Sequence, residues 1–286
     1  MLAYLRANLC RDGLEAMRRD AQLGSQELSP FGSFHTTMIQ VEGLSHLLEG
    51  HPDRADEFFA RAVDEAVRSG IPPVVALELA DRASAAFERE DWTAGTTFAD
   101  QASAIVQGGE FDSYWTSALV YATAARAAAM RGDPEQARQL VARAARLRPL
   151  LTHALPVESA RALLEMARTY IALADPGGAR AVLRQANDIF QQRPALGNLP
   201  QQAEELRAKV ETIRAEGMGA SSLTTAELRL LPLLRTHLTL GEIAQRLFVS
   251  RNTAKSHALS IYRKLGVSSR GEAIERVQEL GLFEHS

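Results

Sequence analysis

Small residues mark out a long period in the first two thirds of the chain. Five short turn-like segments each lead into a run of helix formers: RDGLEA from residue 11, GHPDRA from 50, EDWTAG from 90, GDPEQA from 132 and ADPGGA from 174. A small residue closes each segment, at Ala16, Ala55, Gly95, Ala137 and Ala179, so the steps are 39, 40, 42 and 42 residues. Seven positions further on stand Leu23, Ala62, Ala102, Ala144 and Ala186. Residues seven apart lie two turns along one face of an α-helix, where small side chains let a second helix approach closely. Aspartate and proline suit the helix starts, because proline's fixed φ and missing N–H cost nothing in the first turn. The pattern predicts an array of antiparallel helical hairpins, each stacked on the next. Such arrays expose concave surfaces that hold proteins or peptides. Leu2 to Cys10 already reads as the first helix of a hairpin with no capping segment before it, the expectation for a fragment of a longer protein or for a tolerated terminus.

The pattern changes after the last hairpin. RPALGNLP, from 193 to 200, is a turn-rich break, Gln201 to Glu216 a charged amphipathic helix, and Gly217 to Ser222 a linker made almost wholly of Gly, Ala and Ser. These boundaries predict a repeat domain over 1–216, a linker over 217–222 and a second domain over 223–286. In that second domain a hydroxyl precedes a glutamate by three positions at Thr224 with Glu227, Thr239 with Glu242 and Ser269 with Glu272, the signature of a capped helix start. Ser250 adds an N-cap without the glutamate, and Gly266 and Gly281 stand where helices stop. Four helices follow, near 225–236, 240–247, 251–265 and 270–280, with Pro232 inside the first. Only Phe248, Val249 and Ser250 join the second to the third, the tight connection of a helix-turn-helix.

Within the third helix, Ala254, Ala258, Ile261 and Leu265 follow one another at spacings of four, three and four and form one buried stripe. The opposite face carries Asn252, Ser256, Leu259, Ser260 and Arg263, flanked by Arg251, Lys255 and Lys264. Short polar and cationic side chains of this kind suit a major groove. Lys255 and Ser256 are the expected base-edge readers, with Asn252, Leu259 and Ser260 also at the groove. Arg251, at the helix start, and Arg263, Lys264 and Arg270 are expected at the phosphate backbone.

Charge separates the same two parts. The chain's net charge of -3 divides into nine basic and six acidic residues from 222 onward, against 23 basic and 29 acidic before it, a +3 tail behind a -6 body. No acid occurs between Glu242 and Glu272, where the chain's average predicts about 3.5, while Arg246, Arg251, Lys255, Arg263, Lys264 and Arg270 fall inside the gap. Surfaces that bind phosphate exclude carboxylates.

The segments LTTAELRLLPLL, GEIAQRLFVSRNTAKSHALSIYRKLGV and SSRGEAIERVQELGL, spanning Leu223 to Leu282, strongly resemble the carboxy-terminal DNA-binding domain of LuxR-type transcriptional regulators. The residues that carry the resemblance include Glu227, Glu242 to Ala244, Leu247 to Ser250, Thr253, Lys255, His257 and Tyr262 to Val267. The repeat region is similar to tetratricopeptide repeats with a lengthened period, and to the carboxy-terminal half of large maltose-regulator-like LuxR proteins. Those relatives begin with an ATPase domain, and no G-x-x-x-x-G-K-[ST] motif occurs here. The resemblance implies that the third helix enters the major groove, that Thr253 and His257 join the phosphate contacts, and that the last helix forms a two-fold dimer contact through Ile274, Val277 and Leu280. The alternative for that last stripe is packing within its own domain.

The remaining chemistry is thin. A single cysteine, Cys10, allows no internal disulfide, and the longest apolar runs, such as Ala118 to Ala125, fall short of the roughly 20 residues of a membrane span. His46, Glu49 and His51 have a spacing that suits a metal, but His51 lies in a turn signal and a structural role is favoured. Phe58, Phe59, Tyr114, Trp115 and Tyr121 read as core. No catalytic motif is recognisable. The sequence therefore predicts an all-α, cytoplasmic, non-enzymatic DNA-binding transcriptional regulator without metal or cofactor. Its expected partners are double-stranded DNA, a second copy of itself on DNA, RNA polymerase, and a protein, peptide or small effector on the repeat body. The alternative is a helical-repeat adaptor whose terminal domain binds protein.

Overall fold

Each of the five turns joins two helices in the computed structural model, which describes residues 2–30, 32–109, 111–151, 155–217, 223, 225–247, 249–265 and 267–279. The hairpins are α1 (Leu2–Leu9) with α2 (Gly13–Glu27), α3 (Ser33–Leu48) with α4 (Pro52–Arg68), α5 (Pro72–Glu88) with α6 (Trp92–Gly108), α7 (Ser117–Met130) with α8 (Pro134–Leu147), and α9 (Pro156–Ala172) with α10 (Pro176–Gln192). Then come α11 (Leu199–Gly217) and four shorter helices, α12 (Thr225–Leu234), α13 (Leu240–Arg246), α14 (Arg251–Leu265) and α15 (Arg270–Glu279). The described residues contain no strand, so the fold is all-α, a solenoid-like array followed by a helix-turn-helix domain. The chain divides into two compact units, Met1–Val210 and Glu211–Ser286.

The turn chemistry explains the regular spacing. Asp91, Asp133 and Asp175 cap α6, α8 and α10 by accepting the backbone N–H groups of Ala94, Gln136 and Gly178 at 3.0, 3.0 and 2.8 Å. Two positions before each of these helices, and before α4, one residue takes the left-handed conformation: Gly50, Glu90, Gly132 and Ala174, at φ +86°, +60°, +76° and +54°. Beyond the turns, Ala55, Gly95, Ala137 and Ala179 and their partners Ala62, Ala102, Ala144 and Ala186 are all buried. At Gly95 an added Cβ would lie 2.4 Å from the Phe87 ring, so the approach there leaves no room for a side chain.

The first repeat departs from the expected register. Ala16 is only half-buried and Leu23 is exposed, while Met17, Ala21 and Gly24 face the core. The cause is a longer turn: Cys10 is left-handed at φ +42° and α2 begins three positions later instead of two, with Gly13 also left-handed at φ +83°. A second departure concerns the aromatics. Phe59 and Tyr121 are fully buried, but Tyr114 and Trp115 lie exposed on the connection between α6 and α7.

The two helices of a hairpin differ in burial. Helices α4, α6, α8 and α10 bury one face, whereas α3, α5, α7 and α9 are enclosed nearly all round. From Pro156 to Ala167 on α9 every residue is buried, and so is every residue from Ser117 to Ala125 on α7. The array also closes on itself: α1 packs against α9, and Asn198, beyond α10, donates its backbone N–H to the Leu48 carbonyl at 2.9 Å and its side-chain amide to the Leu47 carbonyl at 3.4 Å. The inner face that an open array would expose is therefore filled by its own helices.

Charges are enclosed at that centre. Arg161 on α9 forms an ion pair with Asp81 on α5 at 2.5 Å and donates to Glu158 at 3.3 Å. Asp81 also accepts from the Gln40 amide of α3 at 2.6 Å. Glu78 is fully buried beside them, and neither of its oxygens has a hydrogen-bond partner among the described residues. Loss of hydration raises the pKa of Glu78, Asp81 and Glu158, that of Glu158 to about 7, with Arg161 pulling the other way. Glu165 is the contrast, held below its ordinary value by Arg126 and Arg168 at 3.2 and 3.1 Å despite its burial. The His46, Glu49 and His51 group is dispersed: His46 is buried and stacked on Phe58, Glu49 pairs with Arg18, and His51 is exposed at the start of α4. No metal-holding cluster of His, Cys, Asp or Glu occurs among the described residues, and none of their helices is long and apolar enough to cross a membrane.

Candidate nucleic-acid interface

In the carboxy-terminal unit, Leu230, Leu231 and Leu234 of α12, Ile243 and Ala244 of α13, Ala254, Ala258, Ile261 and Leu265 of α14, and Ala273 and Val277 of α15 share one apolar core. The α14 stripe expected from its spacing is thus the face that packs, each member being at most 6% exposed. Local chemistry fixes the helix starts. Thr239 and Glu242 form a reciprocal capping box, with the Thr239 N–H reaching the Glu242 carboxylate at 2.7 Å and lowering its pKa. Ser250 accepts the Thr253 N–H at 3.1 Å, and the two hydroxyls lie 2.7 Å apart, which opens α14 only four residues after α13 ends. Ser269 caps Glu272 N–H at 3.2 Å, but the Glu272 carboxylate reaches back to the Ser268 N–H instead of that of Ser269, a box displaced by one residue. Thr224, Phe248, Gly266 and Gly281 lie outside the described residues.

With that stripe buried, Arg251, Asn252, Lys255, Ser256 and Leu259 are exposed, Leu259 to 56%. Ser260, Thr253 and His257 are half-buried at the margins. Arg263 occupies the same face of α14 by its backbone position, two turns beyond Ser256. Arg251, Asn252, Lys255, Ser256 and Leu259 thus make an outward strip with no carboxylate, and the acid-free span covers all of α13 beyond Glu242 and all of α14. Cations held on one face without competing acids create an attractive field for phosphate, and the helix radius and short side chains fit major-groove dimensions.

Two expected phosphate contacts are turned inward. Lys264 lies 2.6 Å from Glu227, a buried carboxylate on α12, and so ties α14 to α12. Arg270 donates to four carbonyls at the end of α12 and in the turn after it: Leu234 at 2.9 Å, Leu238 at 2.8 Å, Thr236 at 2.6 Å and Leu233 at 3.4 Å. Leu234 is the last residue of α12, where a helix leaves its carbonyls without partners in the chain that follows. The sequence showed both residues as part of a cationic window, and nothing local distinguished an arginine facing carbonyls 32 to 37 positions away from one facing DNA. The dimer stripe is also split. Val277 is fully buried in its own domain and is corrected to a core residue, Ile274 is half-buried, and Leu280 lies outside the described residues.

Comparison with known proteins agrees with this geometry. Residues 221–277 match the family described as bacterial regulatory proteins, luxR family. No curated protein matches the chain. The segment from 221 to 277 is thus a LuxR-family helix-turn-helix domain, which supports a DNA-binding transcriptional regulator.

Proposed function

We propose that the protein is a sequence-specific transcriptional regulator in which α14 enters the major groove and the repeat body receives an effector. The observation that carries this reading is the exposed, acid-free strip of α14, opposite a fully buried stripe on the same helix. Lys255, Ser256 and Asn252 read base edges, with Leu259 and Ser260 against the groove wall. Arg251, Thr253, His257 and Arg263 hold phosphates, while Lys264 and Arg270 position the helices that carry them. The domain binds as a two-fold pair through Ile274 and Leu280, which places two α14 helices on half-sites about one DNA turn apart. RNA polymerase is the machinery such a regulator addresses. The body takes the place of the repeat region in large maltose-regulator-like LuxR proteins, a reading supported by its hairpins of about 40 residues.

Selection of genomic fragments by the full chain, at two salt concentrations, tests this directly. The expected result is an enriched inverted repeat whose affinity falls about tenfold for each doubling of salt, as for roughly four neutralised phosphates. Lys255→Ala is expected to cost about 1–3 kcal/mol on the enriched site and less on random DNA. Equal loss on both removes Lys255 as a base reader. A chain that enriches nothing and has no salt-dependent affinity is the adaptor of the alternative reading.

A further inference from the structure

One cavity of the repeat body has a composition unlike its surroundings. It measures about 250 Å³ and is lined by Arg148, Pro149 and Leu151 after α8, by Pro156 and Ser159 at the start of α9, and by Ile189, Gln192 and Arg193 at the end of α10. The body as a whole is acidic, yet none of these lining residues is. Both arginines are only partly exposed, and the Nε atom of each is buried with no hydrogen-bond partner among the described residues. Arg193 donates through Nη1 to the Gln192 carbonyl at 3.1 Å, and neither arginine has a carboxylate partner among the described residues. The Nη groups of a guanidinium match a pair of carboxylate or phosphate oxygens, and a cation in a partly enclosed site without a counter-charge favours an anion there. The first turn of α9 adds the positive end of a helix dipole along one wall. Leu151, Pro149, Pro156 and Ile189 supply an apolar surface beside the charged one.

We infer that this cavity binds a small organic oxyanion, a carboxylate or phosphate group on a short apolar body, gripped by Arg148 and Arg193. The inference rests on the reading of the repeat body as the effector-receiving part, and it names the chemical class of the effector. A cavity of this size is smaller than the roughly 300–1,000 Å³ usual for drug-sized ligands, so the ligand is one of a few carbon atoms. The site is placed to report its occupancy in two directions. Arg193 is the last residue of the final hairpin before the segment leading to α11, and α9 carries Glu158 and Arg161 of the enclosed charge cluster directly beside the lining residues Pro156 and Ser159.

The test is calorimetric titration of the full chain with n-butyrate and, separately, with inorganic phosphate, against potassium chloride of matched ionic strength. Wild type, Arg148→Gln and Arg193→Gln are compared. Saturable one-to-one binding of at least one probe is expected, weakened about tenfold or more in each variant, with the better probe deciding between carboxylate and phosphate. Arg148 donates no side-chain hydrogen bond within the described residues, so its variant is expected to keep the wild-type melting transition and decides the question even where Arg193→Gln does not fold. The inference is overturned if neither probe binds saturably up to about 10 mM. Equal affinity in the wild type and Arg148→Gln also overturns it, because that places the anion elsewhere, for instance at the DNA-facing cations. DNA affinity measured with and without the bound probe separates the two readings: a pocket that binds but leaves DNA affinity unchanged keeps the site and removes its role as effector switch.

Discussion

Arg161 in the repeat body and Arg270 in the carboxy-terminal domain are both drawn into the interior, with opposite electrostatics. Arg161 meets carboxylates, Asp81 at 2.5 Å and Glu158 at 3.3 Å, with Glu78 enclosed beside them. Among the described residues Arg270 donates to backbone carbonyls alone. In the body an arginine offsets buried negative charge, so its removal leaves carboxylates in a medium that disfavours them. In the small domain an arginine completes a helix terminus, so its removal frees neutral dipoles that water can reach. The body is therefore expected to answer to pH, whereas the partners of Arg270 in the helix-turn-helix domain are uncharged carbonyls.

The sharpest way to break this contrast is Arg161→Ala. Its expected cost is about 3–5 kcal/mol at pH 8, read as a large fall in the melting temperature of the body, with the far-ultraviolet signal of the shorter domain retained. A loss no greater than that of an exposed arginine would refute the cluster's role. Next comes Arg270→Ala, expected to cost about 2 kcal/mol in urea unfolding of the carboxy-terminal domain and to weaken DNA binding on specific and random sequences alike, since it positions helices without reading bases. The third concerns pH. Glu158 has its folded pKa raised from 4.5 to about 7, and Asp81 and Glu78 are raised in the same direction, so the native state holds more protons than the unfolded chain between those values. Stability from these groups is complete below the unfolded pKa and is lost as pH rises through about 7, with a slope of up to about 1.4 kcal/mol per pH unit for each proton. Melting temperatures from pH 5 to 8 are expected to fall, and Glu158→Gln to flatten the fall. The smallest effect belongs to the turns: Glu90→Gly and Ala174→Gly relieve left-handed backbone and are each expected to add about 0.5–1 kcal/mol.

Much of the architecture was legible because it is written locally. A turn signal, an aspartate or proline at the helix start and a small residue at a fixed place after it are chemistry within one stretch of chain, and they place the hairpins. The helix-turn-helix followed from hydroxyl caps and from the 4-3-4 spacing of Ala254, Ala258, Ile261 and Leu265. Where the reading failed, the determinant was remote or was a matter of one residue. The extra residue in the Cys10–Asp12 turn shifted the buried pair from Ala16 and Leu23 to Met17 and Gly24. Asp81 and Arg161 stand eighty positions apart, and no periodicity marks them as a pair. Tyr114 and Trp115 carry the composition of a core yet lie on a connection, and Lys264 and Arg270 look like DNA contacts until Glu227 and the end of α12 are placed beside them. On α14 the side facing away from the core was predictable, since a helix with one apolar stripe leaves only one side for other work.

The bond from Asn198 to Leu48 spans 150 positions, and with α1 against α9 it joins the end of the repeat body to its beginning. An open array folds like a zipper, with neighbours adding one by one and the ends fraying first. A closed one has no free end to fray, and its sealing contacts must wait until nearly the whole chain has been gathered. The body should accordingly melt in a single all-or-none step and fold slowly for an all-helical protein, because closing so long a loop is an entropic barrier that local helix formation does nothing to lower.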